Sequence, residues 1–497
     1  MRTLFLLCGF IIAELLSVGV FAQAPFNDSE TAKLRKFLLQ ASAEAGIQNY
    51  QQLGMVRMDT IDWAKVPGLS WNGLTYLLEN VNWASKNLSG HMDFSDFAGL
   101  KYLHCSFNDI KSVDVTNSLS LLRFDFYEND LAAMDVMTNS KLNYIRVGYN
   151  NIRTIDLSNN PNLGFFCCTK NQVESLDFSN KERLYTVYCI ENKLNFLNVE
   201  NCIELGTLLC GSNRLTSLNL YNLPSLKSFS CAYNSLTDLQ LYNCESLNEI
   251  LCNNNELSSL DVSSCGNLSI LNCNNNKLTS LDFEDCMALT SLSCEDNLLD
   301  SLVVSDMPLL STLSCKNNNL TFSTLPPVTE QLTSYSYSPQ NYIALECKYD
   351  SVDLKGTYMI NDNASRYSWY YNNSIIYPLE SNGSLFAFDE SYIGETFICR
   401  VLNNALPKLV MHYDVTFTRE DNQTNNVNQE SCVSSVYASQ GYIHVVTALS
   451  VSIKVYSLQG ALLMIKNVDE GRTDIPFERG IYVVVMDDKA CYKLIVR

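Results

Sequence analysis

The chain has 497 residues, of which 46% are hydrophobic and 18% are charged, and its formal net charge is -19. This composition is typical of folded, multidomain proteins and excludes a disordered chain. The acidic balance argues against nucleic acid or an anionic membrane surface as a partner, because both attract proteins with a surplus of lysine and arginine.

The first residues have the pattern of an export signal. Arg2 precedes an apolar run over residues 4–16, and the small side chains of Val20 and Ala22 stand where a signal peptidase requires them. The run is shorter than the roughly 20 apolar residues that span a bilayer. We therefore interpret residues 1–22 as a signal peptide and not as a membrane anchor.

Residues 23–86 are predicted to form an N-terminal cap region. The stretch "DSETAKLRKFLLQ" predicts a helix whose N-cap is Asp28 or Ser29. Leu34 and Phe37 fall on one face of that helix. Because the first apolar end of a repeat array needs a cover, we expect this region to close the repeats that follow it.

An asparagine recurs every 21 residues through the middle of the chain, within the pattern LxxLxCxxNxL. These asparagines are Asn108, Asn129, Asn150, Asn171, Asn192, Asn213, Asn234, Asn255, Asn276, Asn297 and Asn318. The period and pattern resemble the leucine-rich repeats of internalin-like bacterial proteins. The resemblance implies a mainly β fold: a solenoid over residues 87–325 with a parallel sheet on its concave face. A 21-residue unit leaves no room for a long convex helix, so we expect a flattened coil, in which the asparagine amides bridge successive turns.

Two positions of the repeat hold cysteine again and again. The first column is Cys105, Cys168, Cys189, Cys210, Cys231, Cys252, Cys273, Cys294 and Cys315, and the second is Cys202, Cys244, Cys265 and Cys286. Phe126 and Val147 replace cysteine in the first column, as Leu223 and Met307 do in the second, which marks both columns as core positions. Parallel Cβ atoms about 4.8 Å apart are too distant for disulfides, and a straight row of thiols cannot surround a tetrahedral metal ion. We expect free thiols that pack as small hydrophobes, with no metal and no cofactor.

The outward positions of the concave strands are aromatic in the early units and mostly Asn, Ser and Thr from about Asn253 onward. Tyrosine and arginine contribute strongly to interfaces, so we predict ligand binding in the N-terminal half of this face. The candidate ligand-binding residues are Tyr102, His104, Phe107, Arg123, Tyr127, Tyr144, Arg146, Tyr149, Phe165, Tyr185 and Tyr188.

Residues 326–418 contain several predicted strands separated by Asn, Gly and Ser turns. The order Cys347, Trp369, Cys399 resembles that of an immunoglobulin-like β-sandwich. The resemblance implies that a core tryptophan packs on a disulfide between Cys347 and Cys399.

Residues 419–431 read as a polar linker, and residues 432–497 resemble the C-terminal sorting domain of the bacterial type IX secretion system. The matching elements are Val455-Tyr456, Gly460, Gly480-Ile481-Tyr482, and a closing basic strand with Lys493 and Arg497. The resemblance implies a small β-sandwich that the secretion machinery recognises. An ordinary small β-sandwich is the alternative, and a pairing of Cys432 with Cys491 stays open.

Motifs of catalysis are absent from the sequence. It has no HExxH, GxSxG, Walker A or calcium-loop pattern, and the outward Cys167 has no evident partner base. We therefore expect a monomeric recognition or adhesion protein, secreted or attached to the outer-membrane surface, that binds an extracellular protein. A glycan-binding accessory protein that uses the same tyrosines is the alternative, and an enzyme built on the solenoid ranks third.

Overall fold

The computed structural model describes the chain from residue 26 onward in segments. These are residues 26–281, 283, 285–348, 351–354, 356–418, 435–439, 442–447, 451–457, 462–468, 471–477, 480–486 and 490–496. The predicted signal peptide, the predicted linker and Cys432 lie outside them. The chain divides into two compact units, Met1–Arg419 and Glu420–Arg497. No helix within the described segments is long and apolar enough to cross a membrane.

The cap contains two helices, a 3-10 turn and an antiparallel strand pair. Their bounds are α1 (Asp28–Leu38), α2 (Asn49–Gln52), the 3-10 turn Trp63–Lys65, β1 (Leu69–Trp71) and β2 (Leu78–Asn82). Helix α1 begins one residue earlier than the sequence pattern indicated, because the side chain of Asn27 accepts the Glu30 backbone N–H at 3.1 Å. The ring of Phe37 stacks on Trp83 with centroids 5.7 Å apart. This contact joins α1 to the start of the coil.

The solenoid consists of short strands on two sides of a flattened coil. They are β3 (Ser89–Asp93), β4 (Tyr102–His104), β5 (Asp109–Asp114), β6 (Arg123–Asp125), β7 (Tyr144–Arg146), β8 (Phe165–Cys167), β9 (Ser175–Asp177), β10 (Thr186–Tyr188), β11 (Phe196–Asn198), β12 (Thr207–Leu209), β13 (Ser217–Asn219), β14 (Ser228–Ser230), β15 (Asp238–Gln240), β16 (Glu249–Leu251), β17 (Ile270–Asn272), β18 (Ser291–Ser293), β19 (Thr312–Ser314) and β20 (Ser334–Ser336).

Fourteen strands form one continuous sheet in the order β1-β2-β4-β6-β7-β8-β10-β12-β14-β16-β17-β18-β19-β20. Every pair after β1–β2 is parallel, and units of 21 residues stack in register, so that Leu103 pairs with Phe124 and Phe124 with Ile145. These middle residues are fully buried, as the alternating pattern requires. The prediction of a mainly β leucine-rich repeat solenoid with a parallel concave sheet is confirmed. On the return side, β3–β5, β9–β11 and β13–β15 form separate two-stranded parallel sheets.

The asparagine ladder satisfies backbone groups of successive turns. Asn150 accepts the Leu131 N–H at 2.9 Å and donates to the carbonyl oxygens of Phe126, Val147 and Gly148 at 2.8–3.2 Å. Each amide therefore ties its own turn to the preceding one. Because a buried backbone group without a partner costs roughly 1–3 kcal/mol, the residue type at this position is a requirement of the fold.

The parallel sheet extends one strand beyond residue 325, where the sequence pattern placed the end of the coil. Strand β20 pairs with β19, and Gln340 takes the role of the ladder asparagine. Its side chain donates to the carbonyl oxygens of Cys315 and Tyr337 at 2.9 and 2.7 Å and accepts the Leu320 N–H at 3.3 Å. This turn holds one residue more than the others, and the longer glutamine side chain spans the difference.

The cysteines of both columns are free and buried. In the first column the thiol of Cys210 lies 3.4 Å from the Ser230 carbonyl of the next turn. In the second column the thiol of Cys202 donates to the Phe178 carbonyl of the preceding turn at 3.1 Å. The thiols therefore pack as small hydrophobes and also act as weak hydrogen-bond donors.

The second column continues toward the N-terminus with other donors. The equivalent positions are held by Asn139, Asn160 and Lys181. Each side chain donates to the corresponding backbone carbonyl oxygen of its own preceding turn, at 2.9, 3.2 and 2.8 Å respectively. The position therefore accepts an amide, an ammonium group or a thiol as a donor, but it does not require one, because Leu223 and Met307 also occupy it. Burial lowers the pKa of the Lys181 ammonium group, as expected for a cation that leaves water.

Residues 343–418 form two main sheets and a separate two-stranded sheet. The strands are β21 (Ile343–Lys348), β22 (Ser351–Asp353), β23 (Met359–Ile360), β24 (Asn363–Ala364), β25 (Arg366–Tyr371), β26 (Ser374–Ile376), β27 (Glu380–Asn382), β28 (Leu385–Ala387), β29 (Thr396–Leu402) and β30 (Val410–Thr418), with a 3-10 turn at Glu390–Tyr392. One main sheet has the order β21-β30-β29-β25-β26 and the other β22-β28-β27, and the two-stranded sheet is the antiparallel pair β23-β24. The buried ring of Trp369 packs on Phe386 and Phe388 at 5.1 and 4.8 Å.

The disulfide between Cys347 and Cys399 is not formed, and both thiols are free. Cys347 lies on β21 and Cys399 on β29, in the same sheet, with β30 between them. Strands two positions apart are separated by roughly 9.5 Å, well beyond the Cα distance that a disulfide bridges. The order of Cys, Trp and Cys along the chain does not fix the sheet on which each cysteine lies, and this expectation is corrected.

The C-terminal unit is a small all-β structure. Its strands are β31 (Ser435–Ser439), β32 (Tyr442–Thr447), β33 (Val451–Ser457), β34 (Leu462–Val468), β35 (Gly471–Pro476), β36 (Gly480–Met486) and β37 (Ala490–Val496). They form a three-stranded sheet, β31-β32-β35, and a four-stranded sheet, β34-β33-β36-β37. The core is aliphatic and includes Ile443, Val445, Ile453, Val455 and Val484.

Candidate ligand-binding face

The parallel register places the outward side chains of the concave sheet in two rows. The first row begins with Tyr102, Arg123, Tyr144 and Phe165, and the second with His104, Asp125, Arg146, Cys167 and Tyr188. Neighbours within a row are about 4.8 Å apart, which brings their side chains into direct contact. We call the aromatic and arginine side chains of these rows, together with Phe107, Tyr127, Tyr149 and Tyr185, the aromatic face.

Asp125 is the centre of the aromatic face. Its side chain is completely buried, and Oδ2 lies 2.9 Å from Arg123 Nη2, 3.6 Å from His104 Nε2 and 3.8 Å from Arg146 Nη1. Both arginine side chains remain about one third exposed, at 36% and 28%. A buried carboxylate thus holds two partly exposed guanidinium groups in fixed positions.

Tyr144 is enclosed on both faces of its ring. The Arg123 guanidinium lies 3.8 Å above the ring centroid, and Phe165 stacks on the ring at 4.4 Å with an interplanar angle of 7°. Arg123 and Phe165 come from the strands on opposite sides of β7, so they cover opposite ring faces. Burial raises the pKa of the Tyr144 hydroxyl, which keeps it a neutral donor.

A second cluster forms around Tyr127, in the turn that follows β6. The Arg146 guanidinium lies 3.9 Å from its ring centroid, and the rings of Phe107 and Tyr149 lie 5.5 and 5.0 Å away. Lys170 adds an ammonium group 4.6 Å from the Tyr149 ring. Burial, and then the neighbouring Tyr149 hydroxyl, raise the pKa of Tyr127 to about 12. Cations and rings therefore alternate along the turn as they do along the strands.

The residue before each ladder asparagine has a positive φ, and its identity changes along the solenoid. The positive-φ residues in order are Phe107, Glu128, Tyr149, Lys170, Glu191, Ser212, Tyr233, Asn254, Asn275, Asp296 and Asn317, with φ between 53° and 59°. Asn and Asp tolerate this conformation, whereas it strains aromatic side chains. The last four units have the favourable residue types, and the units of the aromatic face do not. Strained backbone positions are found more often at functional sites than elsewhere.

The structure brings most of the predicted binding residues together. The rings and charged groups of the two clusters described above are contiguous, and Tyr188 joins them with its ring 5.8 Å from Phe165. Tyr102 and Tyr185 lie at the margins and are 46% and 50% exposed. Tyr185 is not in either row, but its ring lies 6.5 Å from Phe165.

Sequence reasoning missed three contributors to the aromatic face. The first is Lys170, whose ammonium group lies near the Tyr149 ring. Its position directly before a ladder asparagine, equivalent to that of Tyr149, could have indicated this contact. Gly148 and Gly164 provide room for rings: a Cβ atom would lie 3.0 Å from the Tyr127 ring at the first position and 2.8 Å from the Tyr185 ring at the second. Both glycines stand next to strands with outward aromatic residues, and this sequence feature could have indicated that they make room for rings.

Nucleophilic chemistry is not favoured at this face. Burial raises the pKa of the Cys167 thiol, which keeps it protonated, and the thiol donates weakly to the Thr169 hydroxyl at 3.9 Å. Within the described segments, no group of three or more His, Cys, Asp or Glu side chains is arranged to hold a metal ion. Cavities of about 270 and 410 Å³ lie on the return side, around Leu302 and Met307, away from the aromatic face.

No protein-family model and no curated protein matches the chain. Among solved structures it is similar to the functional domain of InlJ from Listeria monocytogenes, described as including a cysteine ladder, with 18% identity and a TM-score of 0.41 over 74% of this chain and 95% of that one. It is similar to the leucine-rich effector YopM from Yersinia pestis, with 21% identity and a TM-score of 0.34 over 50% of this chain and 88% of that one. A third is Toll in complex with Spatzle from Drosophila, with 17% identity and a TM-score of 0.39 over 54% of this chain and 48% of that one. The repeat and the sheet of the chain itself identify its fold as a leucine-rich repeat solenoid.

Proposed function

We propose that this chain is an exported, surface-displayed recognition protein that binds a protein ligand on its aromatic face. One observation carries the proposal: Asp125 is completely buried beneath two arginines whose guanidinium groups lie over tyrosine rings. Tyrosine and arginine are the residues that contribute most to protein interfaces. Side chains that are already fixed lose little conformational entropy on binding, so this arrangement favours affinity.

The covered rings favour a protein over a glycan. A tyrosine that binds a sugar needs a free ring face, and both faces of Tyr144 are occupied. The ring edge and hydroxyl of Tyr144 are left, and Tyr102, Phe107, Tyr149 and Tyr185 are 37–50% exposed. A protein surface supplies acceptors and apolar groups for such a mixture. Glycan binding is retained as the second arm of the experiment below.

The export part of the proposal is supported by the sequence features at both ends. Residues 1–22 have the pattern of a signal peptide, and the C-terminal unit, with the elements that resemble a type IX sorting domain, is an all-β structure. A solenoid with free buried thiols is compatible with export, because disulfide formation requires access and geometry that stacked thiols lack.

The test is a binding screen with matched variants of the mature chain from residue 23. Immobilised protein is exposed to an extracellular protein pool and, in parallel, to a glycan array. Each exposed aromatic residue of the face is replaced by alanine in turn: Tyr102, Phe107, Tyr149 and Tyr185. Tyr242 is the matched control, because it is a tyrosine with 59% exposure on the return side of the coil.

We expect at least one of these replacements to weaken binding of a captured protein about 30-fold or more, which is the effect of losing an interface hot spot. The Tyr242→Ala protein should bind like the unaltered chain. An equal loss of affinity in the Tyr242→Ala control, or an affinity that none of the four aromatic replacements changes, would contradict the assignment of the face. Binding only on the glycan array would decide for the alternative.

A further inference from the structure

The aromatic face holds more positive charge than its own acid neutralises. Arg123, Arg146 and His104 all contact the same atom, Asp125 Oδ2. Within the described residues, Asp125 is the only carboxylate within 4 Å of either arginine. One carboxylate therefore serves two guanidinium groups, and one positive charge remains without a close counter-charge.

The contacts also leave hydrogen-bond donors unused. Arg146 reaches Asp125 only at 3.8 Å, a distance too long for a hydrogen bond. The Nε atom of Arg123 also has no hydrogen-bond partner among the described residues, but it is buried and a ligand cannot reach it. Because a guanidinium has five N–H donors in a planar fork, the 28% exposed Arg146 side chain retains capacity for an acceptor that arrives from outside.

The positions of the two guanidinium groups are fixed before any ligand arrives. The ring of Tyr144 lies under Arg123 and the ring of Tyr127 under Arg146, at 3.8 and 3.9 Å. Both groups reach one oxygen, so they lie side by side. A planar anion is the acceptor that matches such a pair, since arginine and carboxylate form two parallel hydrogen bonds.

We infer that the ligand presents a carboxylate group to this centre, and that Arg146 is the principal residue that receives it. This inference rests on the proposed function and specifies the chemistry of the partner. Arg123 is engaged with Asp125 at 2.9 Å, whereas Arg146 is held mainly by its contact with Tyr127. The carboxylate comes from an acidic side chain or from the C-terminus of the ligand.

The net charge of -19 does not prevent this binding. At physiological ionic strength the Debye length is about 8 Å, so acids elsewhere on the chain are largely screened at the aromatic face. The local charge of the arginine pair then decides which group is attracted. A ligand carboxylate that reaches the pair also satisfies donors that are otherwise partly desolvated.

The experiment uses the mature chain and three N-acetylated peptides of equal length as probes. The first contains glutamates and has an amidated C-terminus, the second contains glutamines and has a free C-terminal carboxylate, and the third contains glutamines and is amidated. Affinities are measured by titration calorimetry at two salt concentrations. The variants are Arg146→Gln and Arg146→Lys, and the control is Arg214→Gln, which removes an exposed arginine from a turn outside the face.

At least one carboxylate peptide should bind roughly tenfold or more tightly than the neutral peptide, because charged hydrogen bonds are the stronger ones. Arg146→Gln should abolish that preference, Arg146→Lys should restore part of it, and Arg214→Gln should leave it unchanged. The first two peptides distinguish a side-chain carboxylate from a C-terminal one.

Equal binding of all three peptides, or no binding of either carboxylate peptide, would overturn the inference. So would a preference that survives Arg146→Gln in a protein with an unchanged unfolding midpoint. These failures differ from a failure of the proposed function. Binding of a protein ligand that depends on Tyr149 but not on Arg146 would support the binding face and contradict only the inference of a ligand carboxylate.

Discussion

Replacing Asp125 with asparagine tests whether the buried carboxylate organises the aromatic face. The change preserves shape and removes the charge that Arg123 contacts at 2.9 Å and Arg146 at 3.8 Å. Loss of one partner of a fully buried ion pair costs about 3–5 kcal/mol. Here both arginines are about one third exposed, and water compensates part of the loss. We therefore expect the free energy of unfolding to fall by about 2 kcal/mol.

The measurement is urea unfolding followed by circular dichroism, with hydrogen exchange of strands β6 and β7 as the local readout. In the double variant Asp125→Asn/Arg123→Gln the cost should be about 1 kcal/mol smaller than the sum of the single costs, because the two groups interact. Glu128→Gln, an exposed change in the same unit, should cost less than about 0.5 kcal/mol. Additive single costs, or unchanged exchange in both strands, would refute the role of Asp125.

Three further predictions concern the scaffold. Asn150→Ala removes hydrogen bonds of 2.9 and 2.8 Å to the preceding turn and should cost about 2–4 kcal/mol in urea unfolding, whereas the exposed Asn151→Ala should cost less than about 0.5 kcal/mol. Tyr233→Asn should raise the free energy of unfolding by about 1 kcal/mol because asparagine tolerates the positive φ. Tyr149→Asn should leave the free energy of unfolding nearly unchanged because the variant also loses the ring contacts of Tyr149. Equal shifts of the two urea midpoints would contradict this reasoning. Burial raises the pKa of Cys210 to about 12 from 9.0, so above pH 9 the unfolded thiol ionises first and stability falls by about 1.4 kcal/mol per pH unit for this thiol. Cys210→Val should flatten that part of a pH series of urea midpoints, and an identical slope would exclude the linkage.

The regular part of the fold was predictable from the sequence because the residues that each turn requires recur in every repeat. The inward residue of every strand, the ladder asparagine and the cysteine columns all recur at 21 residues, and a one-residue slip would expose the core. The parallel concave sheet follows from that register. Asn150 illustrates this, since its role as a bridge between turns was expected and its hydrogen bonds to both turns are observed.

The last turn and the thiols of the sandwich were not predictable by the same reasoning. Gln340 lies outside the 21-residue period, and only the observed pairing of β20 shows that its longer amide replaces asparagine. The sheet on which Cys347 and Cys399 lie depends on strand order, which distant contacts decide. Spacing along the chain contains no information about that order.

The candidate site was predictable as a set of residues but not as an arrangement. The alternation of strand positions shows that Arg123 and Tyr144 point outward, and register shows that they are neighbours. It does not show that the guanidinium lies flat on the ring, because a long side chain has many rotamers and its partner selects one. Asp125 belongs to an outward row and is nevertheless completely buried, since two arginines cover it.

The residues with positive φ belong to the scaffold, and some of them are also part of the candidate site. From Asn254 onward every such position holds Asn or Asp, whereas Phe107, Tyr149 and Tyr233 are aromatic. The outward rows lose their aromatic residues earlier, after Tyr188, and the next units have Thr207, Leu209, Ser228 and Ser230 in the same positions. The needs of the coil are the same in every unit, so they do not explain why Phe107 and Tyr149 occupy positive-φ positions beside the aromatic rows. An aromatic residue at such a position makes the turn about 1–2 kcal/mol less favourable, and the ligand binding proposed for the aromatic face gives a reason for Phe107 and Tyr149 there.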